Sequence, residues 1–469
     1  MTRAQTVRVR FLVVAVLGAI LMQPSGQAAP PAALAVLLIK EDLGTLPGDT
    51  TSEAFAINSS RQIVGHSVGG GGSATAFLWT PPGPMLALSA PDGVSLYFAS
   101  DINDKGQVVG TGFGLEFALD AYVWTPPGDV VGLGTVGLFD EQGAGINNLG
   151  WAVGAGEIPP YMPTIWVPPG PNLLIPETVG ESGGAMAIND NRQVVGYTQI
   201  WSPGTSRPFY WSLADGLRQL AGLEDDGGGL AAAINLGGAI AGHSVSGGDD
   251  RAVVWPRFDD DPVDLGTLGG AAARALDISN NAVVVGYSEL AAANVTHAFR
   301  RSPGGAMQDL GTLGGANSVA NGVNSAGHAV GAAELADGES HAVAWWRYSS
   351  AGSLSCGCQS WDPAPSWPAA RVIAVLIPGS DRLSVGTVDA KTLTLGDGDG
   401  DDAPVAMGSD GRRLVLRDDF NRDGEPDLLV AFERKRVAAM TARGHATWLV
   451  GALRDRSRGV FGQVSPKSF

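Results

Sequence analysis

The sequence predicts an all-β protein: a seven-bladed β-propeller closed by its own N-terminal strand, followed by a β-sandwich. Three observations predict it. A unit of 42 to 46 residues recurs seven times between residues 42 and 348. Each unit reads as four short strands. The seventh unit stops one strand short, and the N-terminus carries a spare copy of the missing one.

The recurrence is easiest to follow at an Ile-Asn step. It falls at Ile57-Asn58, Ile102-Asn103, Ile146-Asn147, Ile188-Asn189, Ile234-Asn235, Ile278-Ser279 and Val323-Asn324. Seven residues after each Asn (or Ser279) stands a glycine: Gly65, Gly110, Gly154, Gly196, Gly242, Gly286 and Gly331. A fixed period of this size marks propellers and solenoids, because one unit cannot bury its apolar face alone.

Within a unit, the first strand ends in the Ile-Asn step and the second is Val-Val-Gly, as at Val108-Val109-Gly110. The third resembles Ala76-Phe77-Leu78-Trp79, and the fourth Met307-Gln308-Asp309-Leu310. Each is about five residues, β-branched or aromatic, and bounded by Gly, Pro, Asn or Asp. No stretch after residue 28 shows the 3.6-residue periodicity of a helix.

The turn between the first two strands needs a left-handed residue at its fourth position, which favours glycine. Gly106, Gly150, Gly238 and Gly327 supply it, while Arg61, Arg192 and Ala282 stand there at a cost of about 1 kcal/mol. The recurring Asn suits an Asx-turn, a structural role rather than a ligand-binding one. Trp79, Trp124, Trp166, Trp211, Trp255 and Trp345 occupy one place in the third strand, with Arg301 in unit six. A large aromatic at one place per unit predicts a plug between neighbouring blades.

Unit seven ends at Trp345-Trp346-Arg347-Tyr348. Residues Leu37 to Leu46 match the fourth strands elsewhere, so they predict closure of the last blade and the removal of both open edges.

Residues 42 to 348 resemble the bacterial "extracellular repeat, HAF family". The resemblance rests on His297-Ala298-Phe299, on Asp-Leu-Gly-Thr-Leu-Gly-Gly at 264–270 and 309–315, and on the Ile-Asn…Val-Val-Gly core. It implies a secreted or surface protein and brings no catalytic residues with it.

Taken in order, residues 1–28 read as a signal peptide. Arg3, Arg8 and Arg10 precede the apolar run Phe11 to Met22, and Gly26-Gln27-Ala28 offers a cleavage site. The run is short for a membrane span, so none is expected after cleavage, and the protein is expected to be secreted or at the cell surface. Residues 29–348 form the propeller. Residues 349–370 are a Ser/Gly/Pro linker holding Cys356-Gly357-Cys358, which are expected to staple the linker or bridge two chains.

Residues 371–469 carry strand-like runs such as Val372 to Ile377 and Asp427 to Phe432, which predict a β-sandwich. They resemble a β-sandwich module often appended to secreted bacterial proteins.

The whole chain carries 30 basic and 47 acidic residues, a net charge of −17. All of the excess lies in residues 29–348, which hold 32 acidic and 12 basic residues; this repels nucleic acid and anionic lipid and favours cationic partners or simple solubility.

One motif carries chemistry. Asp419, Asn421 and Asp423 stand at positions 1, 3 and 5 of a D-x-[DN]-x-D-G-x-x-D loop, followed by Gly424, Glu425 and Asp427. Hard oxygen donors at that spacing, a turn glycine, the Glu425 carbonyl and a closing Asp427 suit calcium as a structural ion. Magnesium, which demands strict octahedral geometry, fits less well. Asp397 to Asp402 is a weaker echo and reads as an acidic loop.

His66 and His243 share one place in units one and five, and His297 and His341 share another in units six and seven. Surface polar positions are the expectation for all four, ahead of paired metal ligands. No nucleophile elbow, phosphate loop or zinc-binding helix is present in the sequence.

The expected function is therefore a non-enzymatic secreted scaffold binding a glycan or protein. The variable loops 67–74, 155–163, 199–206 and 288–296 are where such a ring would carry binding. The alternative is a secreted carbohydrate-active enzyme, a lyase or glycosidase. It would need acids such as Glu53, Asp140, Glu141, Glu181, Glu224, Asp225 and Asp226 to converge in the funnel.

Overall fold

The computed structural model describes residues 36–90, 94–113, 119–134, 139–157, 161–167, 172–175, 182–199, 205–224, 228–291 and 295–349. Beyond these it describes 354–355, 359–360, 372–377, 388–396, 403–404, 413, 415–418, 427–433, 448–453 and 459–463. Every regular element among them is a strand. No helix among the described residues is long and apolar enough to cross a membrane.

Seven four-stranded antiparallel sheets form a ring, the β-propeller expected from the repeat. Their inner strands are Asp49–Ile57, Ser95–Ile102, Phe139–Ile146, Ser182–Ile188, Gly229–Ile234, Gly269–Ile278 and Gly314–Val323. In blades one to six the strands lie in chain order. The seventh sheet runs Gly314–Val323, Ala329–Leu335, Ser340–Ser349 and then Val36–Gly44. The N-terminal strand thus completes the last blade, as its sequence predicts.

The inner strands of blades six and seven reach ten residues, twice the expected length. The Asp-Leu-Gly-Thr-Leu-Gly-Gly entry explains this. Asp264 and Asp309 accept the backbone N–H of Gly266 and Gly311, both at 2.7 Å, and turn the chain inward. Thr267 and Thr312 then donate to the carbonyls of Gly270 and Gly315, so pairing begins early.

All seven inner strands share a β-bulge, between Ala54 and Ala56, Ala99 and Asp101, Gly143 and Gly145, Ala185 and Ala187, Ala231 and Ala233, Ala275 and Asp277, and Ala320 and Gly322. A bulge puts two residues opposite one and swings a carbonyl out of the ladder. That carbonyl explains the invariant glycine. A Cβ on Gly65, Gly110, Gly154, Gly196, Gly242, Gly286 or Gly331 would lie 1.8–2.1 Å from the carbonyl oxygen of the residue before the bulge. Only a residue without Cβ can pass there.

The cores lie between blades rather than within them. Val64, Ala76 and Leu88 of blade one pack with Leu96, Ala99, Ile102, Val108, Tyr122 and Trp124 of blade two. The junctions from blade two to blade six follow the same plan. The tryptophans are the expected plugs. Trp124 Nε1 donates to Ser89 O, Trp166 Nε1 to Gly134 O and Trp255 Nε1 to Ala221 O, each in the preceding blade. A buried indole whose one polar atom is satisfied adds area without an unpaired group, and truncating one costs about 3–5 kcal/mol.

The two compact units of the chain are Asp42–Ala344, which is most of the ring, and the remainder. In the remainder, one sheet holds Leu354–Ser355, Gly459–Gln463, Trp448–Leu453, Val388–Gly396 and Ala403–Pro404 in that order. A second holds Gln359–Ser360, Val372–Ile377, Asp427–Glu433 and Val415–Asp418. Val388, Leu393, Leu428 and Val430 are buried there. Cys356 and Cys358 lie outside the described residues.

Candidate functional site

In an antiparallel propeller the turns between first and second strands gather at one end of the axial channel. The loops between second and third strands gather at the other, with the entries to each inner strand. The two ends of this channel differ in kind.

The turn end holds a cavity of about 190 Å³ lined from all seven blades, with Asn58, Asn103, Asn147, Asn189, Asn235 and Asn324 among its walls. Each of these asparagines closes its own turn. Asn103 Oδ1, for example, accepts from Lys105 N and Gln107 N at 3.0 Å. Each also reaches outward: Asn58, Asn103, Asn147, Asn189 and Asn235 donate from Nδ2 to the main-chain carbonyl at the same place in the next blade, at 2.9–3.1 Å. Asn324 of blade seven closes the circle onto Asn58 O at 3.1 Å.

Ser279 breaks the sequence, and Asn281 Nδ2 to Ser325 O, at 2.6 Å, bridges that junction instead. The structural role expected of the Asn is therefore present, and it extends between blades. The turn geometry also follows the sequence: Arg61, Arg192 and Ala282 have φ of 62°, 60° and 54°.

Just inside this ring stand two half-buried aspartates. Asp101 Oδ2 accepts Ile146 N of the next blade at 2.9 Å, and Asp277 Oδ2 accepts Val323 N at 2.7 Å. Their other oxygens accept their own neighbours, Ile102 N and Ile278 N. Burial pushes Asp101 up to about 6, against the pull of those N–H groups. Burial pushes Asp277 up to about 7, and the charge of Asp101 adds to the rise. The other five blades carry Ala56, Gly145, Ala187, Ala233 and Gly322 at this place.

Toward the opposite end, four residues up the inner strand from Ile57 and so about 13 Å away, the lining changes character. Glu53 Oε1 accepts Asn321 Nδ2 of blade seven at 2.7 Å, and the same Nδ2 donates to Ala54 O at 2.9 Å. Burial raises the Glu53 carboxyl above its ordinary value, and the Asn321 bond partly opposes it.

His66 faces Glu53 across the strand pair. Its ring stacks on Phe55 at 5.2 Å and meets Phe98 of blade two edge-on at 5.1 Å. Burial lowers its pKa, so the imidazole is neutral, and Nδ1 has no hydrogen-bond partner. Phe98 remains 39% exposed, which is unusual for a phenylalanine on an inner strand.

Between blades five and six the same level is filled differently. Arg274, the counterpart of Phe98, donates from Nε to Asp250 Oδ2 at 2.7 Å. His243 lies 3.7 Å from Asp250. Burial and the Arg274 charge push His243 down to about 4, against the pull of Asp250.

The structure places the remaining sequence candidates as follows. His297 and His341 pair with Asp309 and Asp42 on the outer strands of their own blades, both at close to 2.9 Å. Arg251 and Asp264 make the equivalent pair in blade five. The His of His-Ala-Phe is thus a cross-strand partner of the Asp in Asp-Leu-Gly.

Among the acids considered for an enzyme, Glu53 pairs with Asn321 of blade seven and Glu141 is buried on the inner strand of blade three. Glu224 accepts Ser246 Oγ and Gly247 N on an exposed loop. Asp140 is in the inner strand of blade three, and Glu181, Asp225 and Asp226 lie outside the described residues. Glu53 and Glu224 have separate partners.

The calcium motif falls between Val415–Asp418 and Asp427–Glu433, which pair antiparallel with Asp418 opposite Asp427. Asp419, Asn421, Asp423 and Glu425 lie outside the described residues, and so do Asp397 to Asp402. Sequence reasoning missed Asn321, Phe98, Asp101 and Asp277. Their signal was departure from the repeat.

No family model matches the chain, and no curated protein matches it. Solved structures of similar shape are TolB from Acinetobacter baumannii, the BP39L lectin from Burkholderia pseudomallei and puromycin hydrolase. TolB is 10% identical with a TM-score of 0.35, and the match covers 51% of this chain and 63% of TolB. BP39L is 11% identical with a TM-score of 0.36, covering 68% of this chain and 97% of the lectin. Puromycin hydrolase is 13% identical with a TM-score of 0.38, covering 72% and 61%. A lectin and a hydrolase stand side by side in this set, so it does not choose a function for the chain.

Proposed function

We propose that the protein is a secreted, non-enzymatic scaffold whose propeller binds a glycan at the channel mouth opposite the asparagine ring, where blades seven, one and two meet. The observation that carries this reading is the contrast between the two ends. At the turn end the asparagine side chains are committed to the ring. At the other end an exposed Phe98, the His66 ring beside it and the half-satisfied Glu53 leave an aromatic face and a carboxyl oxygen open together.

An aromatic face beside a few placed polar groups suits a sugar ring, whose C–H face is apolar and whose hydroxyls need partners. A glycosidase needs a second carboxyl within roughly 5–10 Å of the first. The partner given to Glu53 is the amide of Asn321. The calcium motif at Asp419 to Asp427 belongs to the same proposal as a structural ion of the C-terminal module. Its place between two paired strands suits a loop closed by oxygen donors.

A glycan array probed with residues 29–469 tests the reading. We expect retention of a limited set of glycans and its loss in Phe98→Ala. Binding of none, or release of shortened sugars from any of them, would overturn it.

A further inference from the structure

We propose that the mouth formed by Glu53, Asn321, His66 and Phe98 recognises a primary ammonium group on its glycan, that is, a hexosamine unit whose amine is free. This rests on the glycan-binding reading above and narrows it.

The argument is one of open valences. Asn321 Nδ2 gives its two hydrogens to Glu53 Oε1 and Ala54 O. That pair of acceptors also decides which way the amide points, and leaves Asn321 Oδ1 as its open atom. Glu53 has one oxygen engaged, and Oε2 without a partner among the described residues. His66 Nδ1 is enclosed and unpartnered. That nitrogen is closed off from a ligand, so His66 contributes its ring face and not a hydrogen bond. Glu53 and His66 sit directly opposite each other in register, which puts their Cα atoms about 5 Å apart.

Every open polar atom here is therefore an acceptor, one of them on a carboxyl. A hydroxyl group, which both gives and takes, would use this set only in part. An ammonium carries three donors, no acceptor and the charge that complements Glu53. The aromatic surroundings agree. Phe55, His66 and Phe98 form a cluster with ring centroids 5.1–5.2 Å apart, and an exposed aromatic face attracts a cation as well as sugar C–H groups. The acidity acts in the same direction, since the excess of carboxylates carried by the ring draws cations toward it.

The comparison within the molecule sharpens the assignment. At the junction of blades five and six the counterpart of Phe98 is Arg274, and Asp250 there is engaged by that guanidinium. That junction supplies its own cation. The junction of blades seven, one and two leaves the place open.

Calorimetry on residues 29–469 tests the proposal with two ligands of one length: a fully deacetylated glucosamine tetramer and its fully N-acetylated counterpart. We expect the free-amine tetramer to bind about tenfold or more tightly than the acetylated one. Glu53→Gln should abolish that preference, and Phe98→Ala should weaken both ligands. Both variants should melt within about 2 °C of the parent, so that lost binding is not lost folding.

Equal affinity for the two tetramers, or a preference that survives Glu53→Gln, overturns the proposal. So does tighter binding of a hexalysine peptide than of the free-amine tetramer, which would make a protein the partner. If Phe98-dependent binding of neutral glycans persists without an amine preference, this inference alone fails. If no glycan binds at all, the glycan reading falls with it.

Discussion

At Gly110 a single methyl group would land 1.9 Å from the carbonyl oxygen of Phe98 and 2.7 Å from the Tyr122 hydroxyl. The bulge cannot withdraw its carbonyl without breaking the strand pair. Gly110→Ala should therefore destabilise the ring by about 3 kcal/mol or more in denaturant unfolding. Gly70 has nothing within 4 Å, and Gly70→Ala should stay within about 0.5 kcal/mol. The position of these glycines was legible in the sequence, because they never drift from the Asn. Their cause was not, since a bulge is a property of two strands in register. The mouth residues were illegible for the opposite reason. Phe98 and Asn321 each depart from what the other units carry, and a repeat is read by what agrees; Glu53 was legible only as one acid among several.

The inner strand is the element that turns seven sheets into one ring. Six of its seven Asn positions give an amide hydrogen to the next blade, and Ser279 does not. Ser279→Asn should restore the missing link to Asn324 O and raise stability by about 1 kcal/mol, read as a higher denaturant midpoint with an unchanged slope.

The same strands carry Asp101 and Asp277, whose folded pKa values of about 6 and about 7 both lie above the ordinary 3.8. A raised carboxyl means the folded ring binds protons that the unfolded chain has released. These two groups therefore favour folding fully below about pH 4, and that contribution is lost as pH rises to about 7. Melting followed from pH 4 to pH 8 should show the parent losing a few kcal/mol that the Asp101→Ala/Asp277→Ala variant does not lose. Identical profiles would contradict the assignment. The carboxyls of Asp215 and Glu334 shift the opposite way and cancel in the comparison.

For the whole molecule, the count of blades and the strand that closes the seventh could be read from the chain, because both follow from periodicity. The tryptophan plugs could be read as well, and so could the strained turns at Arg61, Arg192 and Ala282. What joins the blades along the axis could not, because one Asn per unit gives no sign of reaching its neighbour. The C-terminal module adds its own prediction. Calcium should release heat on titration into the parent and not into Asp423→Ala, with a loss of melting temperature of several degrees on chelation. Equal heats would end the metal assignment.

Which end of the ring holds the ligand is decisive. The most direct measurement is a crystal structure of residues 29–469 with the glycan that the array selects. We predict a sugar against Phe98 and His66, with its donors on Glu53 and Asn321. A sugar seated instead in the asparagine-ringed cavity, or bound beyond residue 348, would contradict it.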